Sequence, residues 1–292
     1  DYEPPAGAPS GYRHHGGGGG GAGVGAGVGG TAVRAGGGGN CNGGEGGKAS
    51  NSNPFQTARE FAGTGGGGGS LAKDDERGQV HVGADDNASG VAAMLEIAQY
   101  LAAEKKAGRL KSKRDLLVAA WSGEELGLFG SQAFADDFYK LYPDAPKPPE
   151  TDETSVDAVA HAHGTTTDAT PLTAAIAAYM NLDMVGRLRE KLVIQGIGSS
   201  PGFASEVQRR NLPVGLELTL DKTSTRLPTD ASAFVARDVP ILSAFTGAHE
   251  DYHTPRDTPD KLNYEGVADI ARLFALIGRG FLTSSTPPEF KL

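Results

Sequence analysis

Glycine is distributed so unevenly that it decides which part of the chain can fold. Of 44 glycines, 27 precede position 71 and only 17 are spread over the last 222 residues. A glycine tract opposes a packed core twice over: its backbone has the most freedom to lose, and it has no side chain to bury. An every-third-residue glycine period is missing, which excludes a collagen-like triple helix. The run "GGGGGGAGVGAGVGG" lacks the Gly-Lys-Ser/Thr ending and the preceding strand that would make it a phosphate loop. Residues 1–50 therefore read as a glycine-rich linker or disordered segment. The folding unit is expected over 51–292, where the body is long enough for one large domain.

Charge and cysteine narrow the function classes. With 27 basic and 36 acidic residues the formal charge is -9, which disfavours a nucleic-acid surface. Cys41 is the single cysteine, so neither an internal disulfide framework nor a cysteine metal cluster is available. No run approaches the length of a membrane span, and the segment from Asp1 lacks the basic-then-apolar order of a secretory signal. A soluble protein without a transmembrane segment is expected. His14 and His15 are adjacent but have no spaced partners that would make them a metal pair.

The body alternates short apolar runs with helical periodicities. Val91, Met94, Leu95, Ala98 and Leu101 recur at helical spacing and predict a helix that buries this face in the core, with Lys105, Lys106 and Arg109 near the end where cations suit the helix dipole. Leu116–Ala120 has the length and composition of a buried strand. Strand-like segments also end at Asp183, cover Leu192–Ile197 and cover Pro240–Phe245, and Val267, Ile270, Ala271, Phe274 and Ile277 mark a second amphipathic helix. Residues 143–171, rich in Pro, Thr and Asp, read as a surface excursion that carries His161 and His163 as loop histidines. The pattern predicts an α/β fold: a three-layer α/β/α sandwich around a mixed, largely parallel sheet.

Five groups fall just outside these strands: Asp85 in "HVGADDNASG", Glu124 and Glu125 in "WSGEELG", Asp183, and His253 in "HEDYHTP". Taken singly, each carboxylate is as readily a loop or capping residue, and His253 a structural histidine. Together they make a donor set suited to zinc or manganese, because clustered carboxylates repel one another unless cations lie between them.

"HVGADDNASGVAAMLEIA", "WSGEELGLFGSQAF", "YMNLDMVGRL" and "FTGAHEDYHTPRDTPDKLNYEG" resemble, in order, the co-catalytic zinc aminopeptidase family, whose wider relatives include glutamate carboxypeptidase-like and transferrin-receptor-like proteins. The resemblance covers roughly residues 70–281. It implies two Zn2+ ions, Asp85 as the aspartate bridging them, and Glu125, Asp183 and His253 as further ligands. Glu124 becomes the general base. Asp86 is implied to orient a partner and not to bind metal, with a cis peptide between Asp85 and Asp86. Asp230 in "RLPTDASAF" and Tyr252 are implied to shape the substrate side. The family's "HYDH"-like ligand segment has no counterpart, since residues 59–62 read "REFA", and His81 resembles a noncatalytic position.

The implied activity is hydrolysis of the N-terminal peptide bond of peptides with a free N-terminus, in a secreted or periplasmic setting. Two alternatives remain at this point. Carboxypeptidase or deacylase chemistry uses nearly the same ligands and would need a basic group to clamp a substrate carboxylate. A non-catalytic peptidase-like domain would use the same loops to bind a protein partner.

Overall fold

The computed structural model describes residues 13–15, 70–72, 80–148, 170–223 and 227–292. The remainder of the glycine-rich front, the "REFA" stretch, and most of the 143–171 excursion with His161 and His163 lie outside the described residues. In the front part, β1 (Arg13–His15) pairs antiparallel with β2 (Ser70–Ala72).

The body is a mixed α/β fold. Its sheet holds β3 (Tyr179–Leu182), β4 (Leu192–Gln195), β5 (Leu218–Leu220) and β6 (Ile241–Phe245), in the order β3-β6-β4-β5. The β3–β6 and β4–β5 ladders are parallel and β4–β6 is antiparallel, giving the mixed, largely parallel sheet expected. Because side chains alternate along a strand, β6 serves both faces: Leu242 and Ala244 join one core and Ile241 the other. The first core contains α1 (Gly90–Lys106), α3 (Phe203–Asn211) and α5 (Tyr264–Thr283); the second contains α2 (Phe129–Leu141) and α4 (Ala231–Val235). Helices thus cover both faces of the sheet, as a three-layer arrangement requires.

Helix α5 shows why the layers hold. Asn263 caps it by accepting from the Gly266 amide at 2.9 Å. Ile270, Phe274 and Ile277, at i, i+4 and i+7, are fully buried beside Ala93, Ile97 and Leu101 of α1. Each such side chain stabilises the fold by about 1.5–3 kcal/mol relative to exposure.

Two expectations change here. Leu116–Ala120 forms no regular element and pairs with no strand among the described residues. Its composition suits a strand, yet a ladder needs a neighbour, and β3, on the sheet edge, is bonded only to β6. Between this segment, β3 and α1 lies a cavity of about 1030 Å³. Accordingly, the buried stripe of α1 runs through Gly90, Ala93, Ile97, Leu101 and Glu104. Val91, Met94, Leu95 and Ala98, expected in the core, line the cavity together with Leu116 and Val118. The helix itself forms where the periodicity placed it, and the strand-like segments at 179–182, 192–195 and 241–245 do so too.

Candidate metal centre and acidic cleft

Beyond Leu116–Ala120 the chain makes a tight turn in which the Glu124 carbonyl accepts from the Gly127 and Leu128 amides at 3.0 and 2.9 Å. This turn presents Glu124 and Glu125 to the cleft. Asp183 follows the last residue of β3, and its neighbour Met184 adopts a positive φ of 51°. His253 also has a positive φ, 55°. Such backbone costs a β-carbon-bearing residue about 1–3 kcal/mol and persists where the surroundings fix it, commonly at functional sites.

Asp86, Glu125 and His253 converge, with one donor atom from each within 4.8 Å of the others. The Nε2 of His253 lies 3.0 Å from Asp86 Oδ2 and 2.7 Å from Glu125 Oε1. Neither contact has hydrogen-bond angles, so Nε2 is a buried nitrogen without a hydrogen bond. Two carboxylates and an imidazole nitrogen so arranged match the donors zinc takes, and an orphaned nitrogen aimed at two carboxylate oxygens is what a cation site needs.

Electrostatics point the same way. Burial raises Glu124 to about 8, with the charges of Asp183, Glu125, Asp230 and Asp86 adding to it. Burial likewise raises Asp183 to about 7, followed by the charges of Asp86, Asp230, Glu125 and Asp85. Glu125 is raised by burial, with His253 opposing. Burial also raises Asp230, one of whose oxygens has no hydrogen bond. For His253, burial disfavours the charged ring, but the carboxylates of Asp86 and Glu125 hold its pKa up at about 10. A proton on His253 is one way to hold these carboxylates together; a divalent cation is the other. Tyr252 stacks on the His253 ring, centroids 3.7 Å apart, and is 43% exposed at the cleft.

Asp85 is placed differently from the expectation. It is fully buried and is not one of the converging trio. Its Oδ1 accepts from the Gly186 amide at 2.6 Å and from Ser89 Oγ at 3.0 Å, and its Oδ2 lies 3.0 Å from His249 Nε2. The cis peptide expected at Asp85–Asp86 is one bond further on, at Asp86–Asn87. Asn87 ties this loop to β3, donating to the Leu182 carbonyl at 2.9 Å. His81 is not among the converging residues.

Residue by residue, therefore, Glu125 and His253 meet, the charges of Asp183, Glu124 and Asp230 act within the same cluster, and the third converging side chain is Asp86 rather than Asp85. Three residues went unnoticed in the sequence reading: His249, Arg187 and Asp257. All sit inside the motif blocks, in "HEDYH", "NLDMVGR" and "HTPRDTPD", so position relative to the motifs was the available signal.

The model of Peptidase family M28 matches residues 70–277. The chain belongs to peptidase family M28. Over 59 residues it is 42% identical to the rat protein named aminopeptidase NAALADL1, a stretch covering 20% of this chain and 8% of that protein. Among solved structures, LapB from Legionella pneumophila shares the fold at a TM-score of 0.51 and 18% identity, over 72% of this chain and 49% of LapB. BSAP, a zinc aminopeptidase from Bacillus subtilis, does so at 0.50 and 20% identity, over 70% of this chain and 43% of BSAP. The M28 chain described here thus spans less than half the length of these solved relatives.

Proposed function

We propose that this M28 domain hydrolyses the N-terminal peptide bond of peptides, using zinc held by Asp86, Glu125 and His253. The observation that carries the reading is the convergence of those three side chains on an otherwise unbonded imidazole nitrogen, with Glu124 beside them. Asp183, whose pKa is raised in part by the charges of Asp86 and Glu125, would be a further ligand if a second zinc binds. On this reading Asp86, not Asp85, would hold the metal.

When bound, zinc supplies Lewis acidity toward a scissile carbonyl and toward water. The remaining work falls to the protein. Glu124 takes a proton from the attacking water and returns it to the leaving amine; a pKa pushed up to about 8 makes its carboxylate a stronger base than a solvated glutamate. Asp230, with an oxygen lacking a hydrogen bond, offers an acceptor for a substrate ammonium, and the Tyr252 ring walls the cleft beside His253.

Charge favours an amine over a carboxylate as the group recognised. The described lining of the cavity includes Asp86, Glu124, Glu125, Asp183 and Asp230, and its one Lys or Arg is Arg114. Arg114 is occupied by the carbonyls of Phe281 and Ser284, at 2.8 and 2.7 Å. Among the described lining residues no cation is left to clamp a C-terminal carboxylate, which argues against carboxypeptidase chemistry.

The test is metal analysis with hydrolysis of leucyl and alanyl amides, repeated for Glu124→Gln. Bound zinc in both proteins, with turnover in the variant lowered by about 10²–10⁴-fold, is expected. Full activity of Glu124→Gln, or no tight zinc binding by the wild type, overturns the proposal.

A further inference from the structure

We infer that Asp257 is a positioning residue that fixes Asp86 for metal binding; the inference rests on reading Asp86 as a ligand. Asp257 is 2% exposed and lies far from Asp86 in sequence. Its Oδ2 accepts from two consecutive amides, Asp85 N at 2.8 Å and Asp86 N at 3.1 Å. Its own carbonyl accepts from Ala84 N at 3.1 Å. Three successive amides of the "ADD" segment are therefore held by one residue. The other oxygen, Oδ1, takes Arg187 Nη2 at 3.0 Å, and Arg187 Nη1 reaches Asp251 at 3.3 Å. Lys261 in turn donates to Asp251 Oδ1 at 2.7 Å.

This chain of contacts has a direction. The cations compensate two buried carboxylates, and Asp257 spends its remaining oxygen on main-chain amides. From the opposite side, the Asp85 carboxylate anchors the same loop to Gly186, Ser89 and His249. The backbone of the Asp85–Asp86 pair is thus pinned on both sides, and Asp86 is left with its carboxylate turned toward Glu125 and His253. Gly186 is part of the same fit: a β-carbon there would stand 2.8 Å from Asp85 Oδ1 and 2.6 Å from Leu262 Cδ2, so only glycine lets its amide approach so closely. Groups that orient a metal ligand without touching the metal change affinity by about 10–100-fold when removed.

The experiment uses the full chain and four proteins: wild type, Asp257→Ala, Asp257→Asn and Lys261→Met. Zinc affinity is measured by competition with a chromophoric chelator, the visible spectrum is recorded with Co2+, and hydrogen exchange of the peptide spanning residues 84–87 is followed in the metal-free protein. Asp257→Ala is expected to bind zinc about 10–100-fold more weakly, with an altered cobalt spectrum and faster exchange. Asp257→Asn keeps one oxygen for the amides but turns an NH2 toward Arg187, and should fall between Ala and wild type. Lys261→Met, which touches only the outer carboxylate, should match wild type in all three readouts. If Asp257→Ala does not fold, Asp257→Asn decides alone. Wild-type affinity, spectrum and exchange in the folded Asp257 variants overturn the inference. Should the wild type bind no zinc, the metal reading of Asp86 fails, and the exchange rates still decide whether Asp257 clamps this segment.

Discussion

Asp183→Asn tests whether the acidic cleft stores unfavourable charge that a cation is meant to relieve. In the metal-free protein Asp183 is raised from 3.8 to about 7. A folded-state pKa above the unfolded one means the native state binds more protons between those values, so stability falls as pH rises from about 4 to about 7. Glu124, raised to about 8, continues the fall, and His253, held up at about 10, contributes stability below its ordinary 6.5 that is lost as pH rises through 10. All three groups act with the same sign. For Asp183 alone, each pKa unit corresponds to about 1.4 kcal/mol, so the roughly three-unit shift sets an upper figure of about 4 kcal/mol. Asp183→Asn removes that charge at constant shape. Urea unfolding in the presence of a chelator, at pH 5.5, 7 and 8.5, should show the wild type weakening steadily. The variant should be more stable by a few kcal/mol at pH 8.5 and by about half as much at pH 5.5, which lies midway between the unfolded and folded pKa values of Asp183. Added zinc should reverse the order, stabilising the wild type more than the variant. A wild-type protein whose stability rises from pH 5.5 to 8.5, or a variant with the same pH slope, would refute the reasoning.

Further predictions follow from the packing and from the division of labour between adjacent aspartates. Asp85→Ala strands the Gly186 amide and takes the carboxylate partner from His249 Nε2 in a buried site, and should lower stability by about 3 kcal/mol or more in denaturant melts. Asp86→Ala should leave the metal-free fold at least as stable while abolishing tight zinc binding; the opposite pattern would return the ligand role to Asp85. Gly90→Ala should be strongly destabilising, since a β-carbon would collide with the Leu182 carbonyl and Asn87 Oδ1, and a melting temperature within a degree of wild type would contradict this. Removing zinc by dialysis against a chelator should abolish amide hydrolysis while far-ultraviolet circular dichroism is retained, because the core helices and sheet draw no residue from the converging trio.

Much of this architecture was legible because it depends on local pattern. The stripe of Val267, Ile270, Phe274 and Ile277 sufficed for α5, and apolar runs sufficed for β3, β4 and β6. What was not legible depends on partners remote in sequence. Leu116–Ala120 has the composition of a strand, but strand formation belongs to a pair, and no described strand lies alongside it. The stripe on α1 predicted the helix and the burial of Leu101, but the buried face is turned toward Ala93 and Ile97, because the same unpaired segment leaves a cavity where Val91 and Met94 would have packed. At the site, Glu124, Glu125, Asp183 and His253 come from motif blocks that meet in space. The "DD" doublet could not say which aspartate faces the cleft. That choice is made by Gly186, His249 and Asp257, each more than 100 positions away, which claim Asp85 and its backbone and leave Asp86 free to turn outward. Asp257 was invisible for the same reason: its hydrogen bonds to the Asp85 and Asp86 amides cross 172 and 171 positions.

The central claim is that Asp86, Glu125 and His253 hold a metal ion. The most direct measurement is a crystal structure of the zinc-soaked protein with anomalous scattering recorded at the zinc edge. The account predicts an anomalous peak about 2.0–2.2 Å from a carboxylate oxygen of Asp86, one of Glu125 and the Nε2 of His253, with Asp85 still bonded to Gly186 and Ser89. A peak coordinated by Asp85, peaks only at places other than this trio, or no peak at saturating zinc would contradict it.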